Sequence, residues 1–199
     1  MQVWQNSAMF RETDFLSTFR RDPQHAAFWF ARYKWVSRLL AGERRVIEVG
    51  CGNGFPGAMV RQTVGLLVQT DIEPLAGSGI ARWNPAEGRY KGAKFTAAYA
   101  LDVLEHVAKA DEDDFLEGIT DSLTAYASCI IGMPSLESQP YASRASREAH
   151  INCKTEDQLR DTMLRHFAKV FLFSMNDELI GTGYGPMAHY RLALCAVPR

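Results

Sequence analysis

Apolar residues recur at helical spacing through QHAAFWFARYKWVSRLLA, residues 24–41, with Phe28, Ala31, Trp35, Val36 and Leu39 on one face. Gly42 follows, the residue type that most easily turns the chain past a helix end. The period then changes. Arg45–Val49 is a short apolar run bounded by glycine, and LLVQT (66–70) is another. A helix opening at Pro56 and closing at Gly65 joins them, since proline fits the first turn of a helix. Strand, turn, helix and strand make a crossover unit, which predicts a parallel pair. Beyond it, FTAAYAL (95–101) reads as a buried strand, DEDDFLEGITDSLTAYA (111–127) as a helix with acids in its first turn, and SCIIG (128–132) as a strand. Residues 133–154 read as a long loop, after which Thr155 and Gln158 form a capping box for a helix over 155–167. AKVFLFSM (168–175) and AHYRLALCAV (188–197) are strands, and the glycine-rich gap between them is too short for a crossover helix. They should run antiparallel.

This alternation predicts an α/β fold: a doubly wound, Rossmann-like sheet, mostly parallel with one antiparallel C-terminal strand. Ligands of such sheets bind at the carboxyl ends of the strands. Residues 1–43, with a weaker helical pattern at 10–20, read as a helical extension packing on a core formed by 44–199.

Composition narrows the function. Of 199 residues, 47% are hydrophobic and 23% charged, the balance of an ordinary globular protein. The net charge is -1 and no run of Lys or Arg suggests a nucleic-acid surface. No apolar stretch approaches the roughly 20 residues that span a bilayer, so no membrane partner is expected. The opening MQVWQNSAMFRETDF lacks the pattern of a secretory leader. Cys51, Cys129, Cys153 and Cys195 are scattered, which reads as reduced thiols of a cytoplasmic protein.

The chemistry centres on RRVIEVGCGNGFPGAMV, residues 44–60. Gly50, Gly52 and Gly54 alternate after an apolar strand, and Gly52-x-Gly54-x-x-Gly57 satisfies a dinucleotide fingerprint literally. Glu48 argues against a pyrophosphate, because a carboxylate at the strand end repels phosphate and suits a ligand bearing an ammonium and a sulfonium. Little chain remains for the substrate domain of a dehydrogenase.

VIEVGCGNG resembles the first motif of class I S-adenosylmethionine (SAM)-dependent methyltransferases, an acid followed by G-x-G-x-G. Asp71, in QTDIEP, falls 21 residues after Gly50, where such enzymes place an acid on the ribose hydroxyls. AYALDVLEHV (98–107) is similar to the segment after the fourth strand in the branch with quinone-biosynthesis and sugar O-methyltransferases. The resemblance covers roughly residues 44 to 197. It implies that Glu48, Gly50, Cys51, Gly52, Asn53 and Gly54 cradle SAM, with Asp71 and Ile72 at the ribose. Asn84 would stand near the adenine, and Leu101 with Asp102 beside the sulfonium. The segment 72–94 is short for the usual helix and third strand, and only a cut-down strand near Ile80–Trp83 is expected.

For the acceptor, His106 and His150 are the candidate bases, since an imidazole titrates near neutrality. Asp102, Glu105 and His106 fall at i, i+3 and i+4. The resembling quinone O-methyltransferases carry acid-x-x-Glu-His there and can use a divalent metal; the same residues would equally cap a helix, and no metal is assigned. Residues 133–154 would cover the mouth as a lid, with Tyr141 and Arg144 inside it and His150 and Asn152 at its end. The D/N-P-P-Y/F pattern of a DNA N-methyltransferase is missing from LDVLEH, and Asn84–Pro85 comes too early. The sequence therefore reads as a SAM-dependent methyltransferase acting on a small molecule, most simply at a hydroxyl oxygen. A methyltransferase fold with a decayed cofactor site and an NAD-binding oxidoreductase are the rivals.

Overall fold

The computed structural model describes residue 20 and residues 22–199, so the helical pattern at 10–20 lies outside the described residues apart from Arg20. Among the described residues eight strands form one sheet: β1 (Val46–Val49), β2 (Leu67–Asp71), β3 (Ala81–Arg82), β4 (Phe95–Leu101), β5 (Leu123–Pro134), β6 (Phe167–Asn176), β7 (Leu179–Gly181) and β8 (Tyr190–Pro198). Their order is β3-β2-β1-β4-β5-β8-β6-β7. The pairs β1–β2, β1–β4, β2–β3 and β4–β5 are parallel. Strand β8 runs antiparallel to both β5 and β6, as the short β6–β8 gap requires. The three-residue β7 adds a small antiparallel edge beside β6, inside the glycine-rich gap.

The helices are α1 (Pro23–Leu39), α2 (Ala58–Arg61), α3 (Glu112–Asp121), α4 (Arg144–Ala149) and α5 (Glu156–His166). One face of the sheet buries Ile47, Phe95, Ala98 and Ile131 against Leu116 of α3 and Leu159 of α5. The other buries Val46, Ala97, Tyr99 and Ile130 against Val36 of α1 and Val60 of α2. Strand β4 is apolar apart from Thr96 near its start because it lies between β1 and β5 with both faces covered.

The crossover helix expected from Pro56 to Gly65 is the single turn Ala58–Arg61, and two other expectations need correcting. The helix expected over 111–127 ends at Asp121, and β5 starts at Leu123. Leu116, Ile119, Leu123 and Ala127 keep a helical spacing and are all buried, but the last two bury themselves from a strand. The break is set at Ser122, whose hydroxyl donates to the Gly118 carbonyl (2.7 Å) and accepts the Tyr90 N–H (2.8 Å). The second correction concerns residues 133–154. Strand β5 continues to Pro134, a 3-10 turn covers Gln139–Tyr141, and α4 is capped by Ser143. The abbreviated third strand and the Thr155–Gln158 capping box are both present. Among the described residues no helix is long and apolar enough to cross a membrane.

Candidate cofactor and catalytic site

The glycine turn leaves β1 through Gly50, Gly52 and Gly54, whose φ angles of 69°, 57° and 74° lie in the left-handed region. A Cβ on Gly50 would come within 2.5 Å of the Val103 side chain, so β4's exit packs directly on the turn. At the end of β2, Asp71 Oδ2 accepts the Gly52 N–H (2.9 Å) and Oδ1 accepts the Glu73 N–H (3.0 Å). Each oxygen keeps a further lone pair for another donor. Ile72 follows directly, its carbonyl accepting Arg82 Nε (3.2 Å). Cys51 is buried, its N–H donating to the Thr70 carbonyl (2.9 Å), and Asn53 Oδ1 accepts the Phe55 N–H (3.0 Å). Asn84, just past β3, caps the next turn: its Oδ1 accepts the Ala86 N–H (3.2 Å) and its amide donates to Glu87.

Glu48 lies under the turn. It is buried, with Oε1 accepting the Tyr33 hydroxyl (2.8 Å) and Oε2 accepting the Gln69 amide (2.8 Å). Gln69 also donates to the Gly54 carbonyl (2.7 Å) and accepts from Arg61. Burial pushes the Glu48 carboxyl upward, against the hydrogen bonds from Gln69 and Tyr33. A side chain at Gly57 would strike this knot, which explains the third glycine. The sequence pattern alone suggested that this acid faces the ligand; both of its oxygens are instead engaged beneath the turn.

Beside the turn, β4 ends at the buried Leu101, and Asp102 takes a left-handed φ of 57°. Arg32 of α1 donates to both Asp102 oxygens (2.9 and 2.7 Å) and lies 3.7 Å over the Tyr190 ring. Neither Asp102 nor Glu105 caps a helix: the 3-10 turn Leu104–His106 has no side-chain cap. Asp102, held by Arg32, is not part of the ligand-atom cluster that the fold assembles, although its charge is felt there. Glu105, His106 and His150 offer ligand atoms all within 4.8 Å of one another. Glu105 is fully buried and neither carboxylate oxygen has a hydrogen-bond partner. Burial, reinforced by the Asp102 charge, holds its carboxyl well above the usual range.

The imidazoles are oriented from behind. His106 Nδ1 lies 3.0 Å from the Ala149 carbonyl, which can only accept, so Nδ1 carries the proton and Nε2 keeps a free lone pair. His150 Nδ1 faces the Gln139 amide oxygen at 3.0 Å, with the same consequence. The two rings meet edge to face at 5.2 Å, and burial, then the neighbouring His106, lowers the His150 pKa. The Ile151 and Asn152 N–H groups both donate to the Glu105 carbonyl (2.9 and 3.0 Å). Asn152 in turn binds Glu112 (2.8 Å), which pairs with the buried Lys154 at 2.5 Å.

Tyr141 and Arg144 stay exposed on this segment. His166 pairs with Asp113 at 3.0 Å, and His189 is exposed. Arg32 and Gln139 carried no signal in the sequence, because their partners lie 70 and 11 residues away with no shared motif.

No protein-family model matches this sequence, and no curated protein matches it. Solved structures match its fold. The methyltransferase domain of bacterial CtHen1-C has a TM-score of 0.66 at 14% identity, over 85% of this chain and 98% of that one. The small RNA methyltransferase HEN1 has a TM-score of 0.67 at 14% identity, over 83% of this chain and 25% of that one. The N-methyltransferase NodS from Bradyrhizobium japonicum WM9, in complex with S-adenosyl-L-homocysteine, has a TM-score of 0.60 at 13% identity, over 91% and 88%. The chain has the α/β fold of these methyltransferases.

Proposed function

We propose that this chain is a SAM-dependent methyltransferase that methylates a hydroxyl oxygen of a small-molecule acceptor. The observation that carries the reading is a juxtaposition at the carboxyl ends of β1, β2 and β4. Asp71 is locked to the glycine turn with lone pairs to spare, and the free Nε2 atoms of His106 and His150 lie at the exit of β4. In this reading the backbone from Gly50 to Gly54, with Cys51 and Asn53, cradles the cofactor from above the Glu48 knot. Asp71 accepts its ribose hydroxyls, Ile72 and Asn84 border the adenine, and Leu101 and Asp102 wall the sulfonium.

Methyl transfer is an in-line displacement, so the site must align the acceptor oxygen and remove its proton. His150, kept neutral by its lowered pKa, and His106 present acceptor nitrogens for that proton. Glu105, buried with no hydrogen bond to its oxygens and only the His106 ring 4.0 Å away, favours a second use of the same atoms, because a poorly compensated buried carboxylate is costly. Glu105, His106 and His150 fit a divalent cation, which when bound would act as a Lewis acid on the acceptor hydroxyl.

The near-neutral charge and lack of a basic run support a small-molecule acceptor. RNA belongs in the acceptor panel as well, because HEN1 is a small RNA methyltransferase. The test is calorimetric titration with SAM and with NAD, followed by methyl-transfer assays with and without chelator. Tight SAM binding is expected. No heat with SAM would support a decayed site, and preferential NAD binding the oxidoreductase. Loss of activity in chelator, restored by magnesium, assigns the trio to a cation; full activity assigns it to proton removal.

A further inference from the structure

At the opposite end of the strands, where the parallel strands β1, β2, β4 and β5 begin, lies a cleft of about 400 Å³. It is lined by Arg44 and Arg45 ahead of β1, Leu66 ahead of β2, Lys94 and Thr96 at the start of β4, and Thr124 of β5. No acid lines it, and none of its three cations forms an ion pair among the described residues. By contrast, the largely shielded cations Arg32, Lys154 and Arg191 hold Asp102, Glu112 and Glu137 respectively.

Arg45 carries the argument. Its guanidinium lies over the Phe95 ring at 4.8 Å, and unlike Arg32 and Arg191, whose Nε atoms are also buried without a partner, its side chain makes no hydrogen bond or ion pair among the described residues. A ring face attracts a cation but does not satisfy an N–H donor, so the guanidinium remains short of an acceptor. Its backbone is fixed: the Arg45 N–H donates to Thr96 Oγ1 (3.2 Å), and that hydroxyl donates to the Arg45 carbonyl (3.2 Å). Close approach of β2 holds the neighbour, since a Cβ on Gly65 would lie 2.7 Å from the Arg44 carbonyl.

We propose that this cleft binds a phosphate-bearing ligand, with Arg45 as the half-buried anchor and the exposed Arg44 and Lys94 closing on it. Three converging cations exceed what one carboxylate needs, and planar guanidinium forks match phosphate oxygens in pairs. The volume suits a ligand of nucleotide size. Tyr126, 90% exposed and two residues beyond Thr124, offers an aromatic face on the same strand for a base. The site is separate from the methyl-transfer site and does not depend on that function.

The test titrates the full chain with inorganic pyrophosphate and with a short single-stranded oligonucleotide, with S-adenosyl-L-homocysteine present throughout. Binding of pyrophosphate alone identifies a free phosphate compound, and tighter binding of the oligonucleotide identifies a nucleic-acid strand. Arg44→Gln and Lys94→Gln alter exposed side chains and should each weaken binding several-fold, together by about tenfold, with a shallower salt dependence. Arg45→Lys keeps the charge but loses the fork and should also weaken binding. Failure of the wild-type chain to bind either probe, or unchanged affinity in the variants, overturns the proposal.

Discussion

Replacing Glu105 with glutamine should raise the stability of the protein while removing the chemistry of its site. The carboxyl group is fully buried, neither oxygen has a hydrogen-bond partner among the described residues, and His106 Nε2 comes no closer than 4.0 Å; burial together with Asp102 raises its pKa, against a smaller opposing pull from the backbone and Arg32. A group that binds its proton more tightly when folded gives its full stability below the unfolded value of about 4.3 and loses it as pH rises toward the folded value. At neutral pH the folded chain must therefore hold a proton there or bury an uncompensated charge. Glutamine removes that penalty but leaves an amide unpaired, so the net gain should be about 1–3 kcal/mol. For a chain of this size that is about 2–4 °C in Tm for each kcal/mol. Calorimetry in EDTA should show the variant melting higher at neutral pH and the difference vanishing near pH 4. Adding a divalent cation should stabilise the wild type and not the variant. If Glu105→Gln melts at or below the wild type at neutral pH in chelator, the carboxylate is compensated and the argument fails.

Asp71→Ala should weaken SAM binding by about 1.5–3 kcal/mol, the range for hydrogen bonds to a charged group; an unchanged dissociation constant in a folded variant would remove Asp71 from the ribose. His106→Ala or His150→Ala should lower single-turnover methylation at least tenfold, about 1.4 kcal/mol, with SAM affinity unchanged. Burial and His106 lower the His150 pKa, so the wild-type rate should rise with pH through an ionisation below about 6.5, as the neutral ring accepts the proton. A rise centred above that value would exclude His150 as the base. Lys154→Met should cost about 3 kcal/mol in denaturant unfolding, the low end for a broken buried pair, because Asn152 and Arg165 still hold Glu112.

Local pattern carried much of the fold. The crossover unit, strand β4, the Thr155–Gln158 cap and the antiparallel β8 were legible because burial on one or both faces writes a period into the chain. The same period misled at Leu123 and Ala127, where helical spacing coincides with strand burial. At the site, the glycine turn, Asp71, Glu105 and His106 were visible as short motifs, since each is positioned by neighbours in sequence. What those groups touch was not. Arg32 reaches Asp102 across 70 residues, and His150 reaches His106 because the Asn152–Glu112–Lys154 network ties its segment down. The charge pattern shows no basic run, yet Lys94 joins Arg44 and Arg45 because β1 and β4 are adjacent and in register. Sequence by itself determined which residues could form strands, turns and chemistry. Strand order and register, which depend on burying both faces of the whole sheet at once, decided which distant side chains meet.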